Sequence, residues 1–149
     1  MAHVRTQIRT LAKSILEENL PDNYRVFSSR KSAINHRSDS VLVDMAFNND
    51  QTREEETMND YRVRIASLQI RIQRSGSEEE LDDLLDQDEV RIINAFNQGD
   101  WSSLLEEPPE QIQAQFLSGP EGGNILGALV LRFDLEYRID RTDPEATVS

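Results

Sequence analysis

Residues 60–74 read DYRVRIASLQIRIQR, and their reading decides the fold. Tyr61, Val63 and Ile65 are apolar at odd positions, whereas Leu68, Ile70 and Ile72 are apolar at even ones. Successive side chains of a strand point to opposite faces, so the apolar phase changes within the run. The expectation is a central strand of a small antiparallel sheet, with a β-bulge near Ala66-Ser67 absorbing one residue. In its first half, Tyr61, Val63 and Ile65 then face packed helices. Arg62 and Arg64 share the opposite face, open to solvent or a partner.

Upstream, Val4, Ile8, Leu11 and Ile15 recur at helical spacing, which predicts a helix over 2–19 that stops before Pro21. Arg5, Arg9 and Lys13 form a basic ridge beside that stripe. Pro21-Asp22-Asn23 is a turn, and 24–28 is a short strand. A polar connection over 29–40 includes His36, which has no second ligand at metal spacing and reads as a loop residue. Val41, Val43, Met45 and Phe47 alternate as a second strand. The polar segment 48–59 joins it to the central strand as a hairpin tip, in which Glu54, Glu55 and Glu56 lack calcium-loop spacing.

Downstream, Ser77 and Glu80 form a capping box that opens an amphipathic helix to about Gln98, with Gly99 as its terminator. Leu81, Leu84, Leu85, Ile92, Ile93 and Phe96 mark its inner stripe. Asp86, Asp88 and Glu89 mark a kink or a wet outer face. Residues 101–105 read as a helical turn carrying a buried Trp101. A half-polar strand over 112–117, a glycine-rich turn over 118–124 and a long alternating strand to Ile139 complete the order α-β-β-β-α-turn-β-β. That order predicts α+β architecture: a single mostly antiparallel sheet with two main helices packed on one face. One domain is expected over 1–139, followed by a polar, frayed tail over 140–149.

The 149 residues suffice for one core. There is no cysteine, hence no disulfide, thiol nucleophile or thiolate metal site. The opening residues lack an apolar signal core, and the longest apolar run, 125–131, is far too short to span a bilayer. Net charge is −12, unevenly placed: +2 over 1–74 and −14 over 75–149. Such a field repels phosphate and disfavours wrapping of nucleic acid by counterion release. It allows a basic face of one copy to meet an acidic face of another, although the same charges also suit a solvated surface. The interface candidates are Arg5, Arg9, Lys13, Arg62 and Arg64 on the basic side, and Glu79, Asp82, Asp83 and Asp86 on the acidic side. No nucleophile–base pair, zinc motif or phosphate loop is present, so a non-enzymatic role without cofactor or metal is expected.

Several ordered motifs point further. Val4-Arg5-Thr6-Gln7-Ile8-Arg9 is a V-R-x-x-I-R helix, followed by Arg25-Val26-Phe27 and Arg30. An R-x-x-x-x-x-I strand runs from Arg64 to Ile70. An E-x-x-L-D-D-L helix runs from Glu78 to Leu84, and an L-x-F-x-x-x-Y strand from Leu131 to Tyr137. In order and spacing the chain resembles the tail terminator (tail completion) proteins of long-tailed bacteriophages. It departs where many of them have a proline before the second strand; here Ser38-Asp39-Ser40 precede Val41. The resemblance implies a virion subunit that forms a homo-oligomeric, hexameric ring on the tail tube. Such a ring ends tube polymerisation, contacts the tail tube protein on one side and a head-completion or neck protein on the other, and lets DNA pass through its lumen without specific binding. No membrane is involved. Another head–tail connector or stopper ring is the alternative within that class, and an acidic DNA-mimic inhibitor the alternative outside it.

Overall fold

The computed structural model describes residues 3–29, 41–52, 61–121 and 124–140. Its elements are α1 (Val4–Asn19), β1 (Tyr24–Val26), β2 (Val41–Thr52), β3 (Tyr61–Gly76), α2 (Glu78–Gln98), β4 (Glu110–Glu121) and β5 (Asn124–Asp140). The expectations for His36, for Glu54, Glu55 and Glu56, and for the tail beyond Asp140 lie outside the described residues.

The strands form one five-stranded sheet in the order β1-β2-β3-β5-β4. β1 runs parallel to β2, and every other pairing is antiparallel. Both helices pack on one face, α2 over β5 and β3, and α1 over β1 and β2. The architecture is thus α+β, a single mostly antiparallel sheet with two helices on one side.

The core lies between the layers. Cross-strand rows Val43/Ile72/Leu129 and Met45/Ile70/Leu131 are almost fully buried, and Leu68 and Phe133 form the next row with Phe47. Against them lie Val4, Ile8, Ala12, Ile15 and Leu16 of α1, and Leu81, Leu85, Ile92, Ala95 and Phe96 of α2. Each such Leu or Ile, once fully buried, contributes about 1.5–3 kcal/mol. Phe96 meets Phe133 and Trp101 edge-on, at centroid distances of 4.9 and 5.2 Å. The Trp101 indole donates to the carbonyl of Phe96 at 2.8 Å, closing the single turn after α2 onto the core.

The expected bulge in the central strand is corrected. β3 pairs with β5 without a shift from Tyr61 to Gly76, so Ala66-Ser67 absorbs no residue. The irregularity lies across from Ser67, on β2 between Phe47 and Asn49. Even positions of β3 therefore face the helices throughout: Arg64, Ala66, Leu68, Ile70, Ile72 and Arg74. Val63 and Ile65 face the open side, where Ile65 is 36% exposed. The sequence-based assignment of those faces is reversed because Arg64 has a buried partner on the helix side.

Both helix boundaries also differ in their chemistry from expectation. Ser77 precedes α2, but its side chain makes no capping bond; its carbonyl accepts from Leu81 at 3.0 Å. Gly99 ends α2 with φ −71°, so no left-handed conformation calls for glycine. Its small size does: a Cβ there would lie 2.6 Å from Ile15 Cδ1, where the end of α2 meets α1. At the start of α1, His3 Nδ1 accepts from the Arg5 amide at 3.0 Å, a cap given by a residue to which the sequence assigned no role.

Candidate functional site

β3 begins and ends its helix-facing row with arginines, and each arginine holds a buried aspartate. At one end, Arg64 Nε donates to Asp50 Oδ1 at 2.9 Å. The Tyr137 hydroxyl donates to Asp50 Oδ2, and Arg5 Nε reaches the same oxygen at 3.5 Å. At the other end, Arg74 donates through Nε and Nη2 to the two oxygens of Asp88 at 2.8 and 2.7 Å. The Tyr24 hydroxyl donates to Asp88 as well, and itself accepts from Arg91 at 2.8 Å. The two clusters tie α1, β1 and α2 to strands β2, β3 and β5.

The β2 bulge creates the first cluster. One extra residue at Asn48 shifts the phase, so Asp50 pairs opposite Ala66 on the helix side. Without it, Asp50 would share the open face with Asp44. The second cluster corrects the expectation of a wet face on α2. Asp88 is fully buried, because it stands three residues after Leu85 and four before Ile92, on the inner stripe. That spacing was the one available signal for it. For Asp50 there was none, since the bulge follows from strand pairing.

Burial pushes the Asp88 carboxyl above the ordinary carboxylate range, while bonds from Tyr24 and Arg74 oppose the shift. Burial raises the Tyr24 and Tyr137 hydroxyls above their ordinary value, and each carboxylate acceptor adds to the rise. Both tyrosines are thereby kept as donors. These are structural clusters of satisfied charges, with no free nucleophile in either.

Other arrangements offer equally little chemistry. A cleft of about 510 Å³ lies between the turn after α2 and β5. Glu106, Glu107, Glu110, Asp134 and Glu136 line it together with Arg138, and no histidine or lysine does. Arg138 is already paired with Glu106 at 3.0 Å. Among the described residues no group of three His, Asp or Glu side chains is arranged to hold a metal, and no helix is long and apolar enough to cross a membrane.

The interface candidates divide in two. Glu79, Asp82, Asp83 and Asp86 are exposed along α2, and Arg62 is exposed on β3. Lys13 and Arg9 are half-buried on α1, where Arg9 donates to Thr6 Oγ1 at 3.2 Å. Arg64 is drawn inward to Asp50, its side chain only 20% exposed, whereas Arg5 reaches Asp50 at 3.5 Å with its side chain 40% exposed. The basic ridge and the acidic helix belong to the same layer, since α1 packs against α2.

Away from the helices, the open sheet face carries its own ion pairs. Arg71 meets Asp44 with Nε at 3.2 Å from Oδ1, and Ser67 donates to Asp134 at 2.8 Å beside Arg132. β4 is the outer strand, and its residues 112–117 are exposed on both faces, including Ile112, Phe116 and Leu117 at about half. Sequence reasoning found this strand but gave it no role.

Fold and surfaces together define a two-layer α+β protein with an open sheet face and a bare edge strand. Compared with known proteins, the sequence matches no family model and no curated sequence.

Proposed function

We propose that this chain is a structural subunit of a long-tailed bacteriophage virion, a tail terminator whose ring caps the tail tube, ends its polymerisation and offers the surface on which the head or neck docks. The observation that carries this reading is a convergence. Arg5 of the V-R-x-x-I-R helix, Arg64 of the R-x-x-x-x-x-I strand and Tyr137 of the L-x-F-x-x-x-Y strand are far apart in sequence and meet at one carboxylate, Asp50. The apolar members of the same motifs, Val4, Ile8, Ile70, Leu81, Leu131 and Phe133, are buried together. Residues that carry the resemblance are thus the ones that hold the two layers in place, as expected when a shared pattern reflects a shared fold.

A ring also gives the open face and bare edge a use, because a closed ring joins one surface of a subunit to a different surface of the next. The net charge of −12 suits a lumen through which DNA slides, since acidic walls repel phosphate. The test is electron microscopy of tails assembled with and without this chain. Overlong tails in its absence, restored to uniform length by adding it back, are the expected result. Tails of normal length without it would overturn the reading.

A further inference from the structure

We infer that copies of this chain join edge to edge, with β4 of one subunit adding to the outer edge of β2 in the next. The head-to-tail sense of this contact rests on the ring reading; the use of the β4 edge rests on the structure.

β4 is unusual for an outer strand. Sequences commonly protect such edges with charge, because unpaired backbone N–H and C=O groups invite another chain. Here residues 111–120 contain no charged side chain, in a protein of which 30% is charged. Its bulge lies at one end, between Gln111 and Gln113, and Pro120 at the other. Between them, residues 112–117 form an exposed ribbon.

The occupant is a second copy on grounds of charge. A subunit at −12 repels its own kind, so two copies approach best where one edge is uncharged and the acids of the other, Asp44 and Asp50, are already paired with Arg71 and Arg64. The run 112–117 is the longest exposed, uncharged stretch among the described residues.

The receiving edge lies at the opposite side of the same sheet. Among the described residues β1 pairs with β2 at Val41, Leu42 and Val43, with further bonds from the Phe27 amide to the Val43 carbonyl and from the Val41 amide to the Asn23 carbonyl. No described strand pairs with the outer edge of β2 over 44–52. Because β2, β3, β5 and β4 alternate in direction, β4 runs antiparallel to β2 when successive sheets keep the same sense. That is the more stable pairing. Face matches face: Phe116 of β4 comes beside the half-buried Phe47 on the helix side, and Leu117 beside Ala46 on the open side.

The absence of native cysteine makes the test direct. Gln115→Cys on β4 and Asn49→Cys on β2 are both surface changes. Within one chain these strands are three spacings apart, about 14 Å, so a shorter bis-maleimide cross-linker joins the two sites only between chains. The double variant should give a ladder of dimers, trimers and higher species, and each single variant none. Adding Leu117→Glu should remove the ladder while leaving the melting temperature unchanged. Dimers from Gln115→Cys alone would overturn the proposal in favour of two-fold β4–β4 pairing. Rings seen by microscopy without a ladder would place the contact elsewhere, and monomers without a ladder would exclude it. None of these outcomes bears on tail length, so the ring reading and this contact fail independently.

Discussion

Asp50 and Asp88 solve one physical problem in the same way. A carboxylate removed from water needs several donors, and each receives a tyrosine hydroxyl and guanidinium groups. Asp88→Ala strips Arg74, whose side chain is 13% exposed, of both its carboxylate bonds. The expected loss is about 3–5 kcal/mol, read by urea denaturation. Tyr24→Phe removes one donor and leaves the ion pair, so a smaller loss of about 1–2 kcal/mol is expected. The tyrosines also set an alkaline limit. Both hold their protons to higher pH in the fold than their ordinary value of 10.0, so above that pH the folded state binds more protons than the unfolded one. Their contribution to stability is complete below 10.0 and is lost progressively as pH rises from there through the raised values of the folded state. With Tyr61 replaced by Phe, so that only Tyr24 and Tyr137 report, unfolding should accompany the appearance of tyrosinate absorbance at high pH. Tyrosinate forming in a still-folded protein would contradict it.

At the scale of elements, the bulge in β2 decides which residues in the second half of that strand face the helices. Deleting Asn48 alone would keep Asp50 opposite Ala66, whereas deleting Asn48 and Asn49 together would set Asp50 opposite Ser67, on the open side. Arg64 and Tyr137 would then lose their acceptor, and a loss of about 3 kcal/mol or more is expected in thermal or urea unfolding. The end of α2 is constrained by volume. Gly99→Ala puts a methyl against three side-chain carbons of Ile15 at 2.6–2.9 Å. A cost of about 1–3 kcal/mol is expected, eased when Ile15 is shortened to Val in the same chain. Equal stability of the single and double variants would show that the helices separate freely.

For the whole molecule, two contacts between copies make opposite demands on salt. A contact built from Arg5, Arg9 and Lys13 against Glu79, Asp82, Asp83 and Asp86 weakens as ions screen it. A contact along the uncharged β4 edge strengthens, because screening reduces repulsion between subunits of net charge −12. The engagement of Arg5 and Arg64 with Asp50 favours the second. Sedimentation velocity at low and moderate salt should show more association at the higher concentration, and the reverse would restore the ionic contact.

The sequence by itself determined the element order, the two-layer architecture and most of the core. These follow from local periodicity: the stripe of Val4, Ile8 and Ile15, and the alternation from Leu129 to Ile139, each require one buried face. It also placed the starts of both helices to within two residues. Only the tertiary structure decided the face of each residue in the first half of β3, the burial of Asp50 and Asp88, and the reason for glycine at 99. Those depend on partners distant in sequence. A bulge in β2 sets the phase of Asp50, and an arginine at each end of β3 makes burial of an aspartate tolerable. The run 60–74 changes its apolar phase because one end of its helix-side row is an ion pair and the middle is hydrocarbon, a distinction that local pattern does not carry.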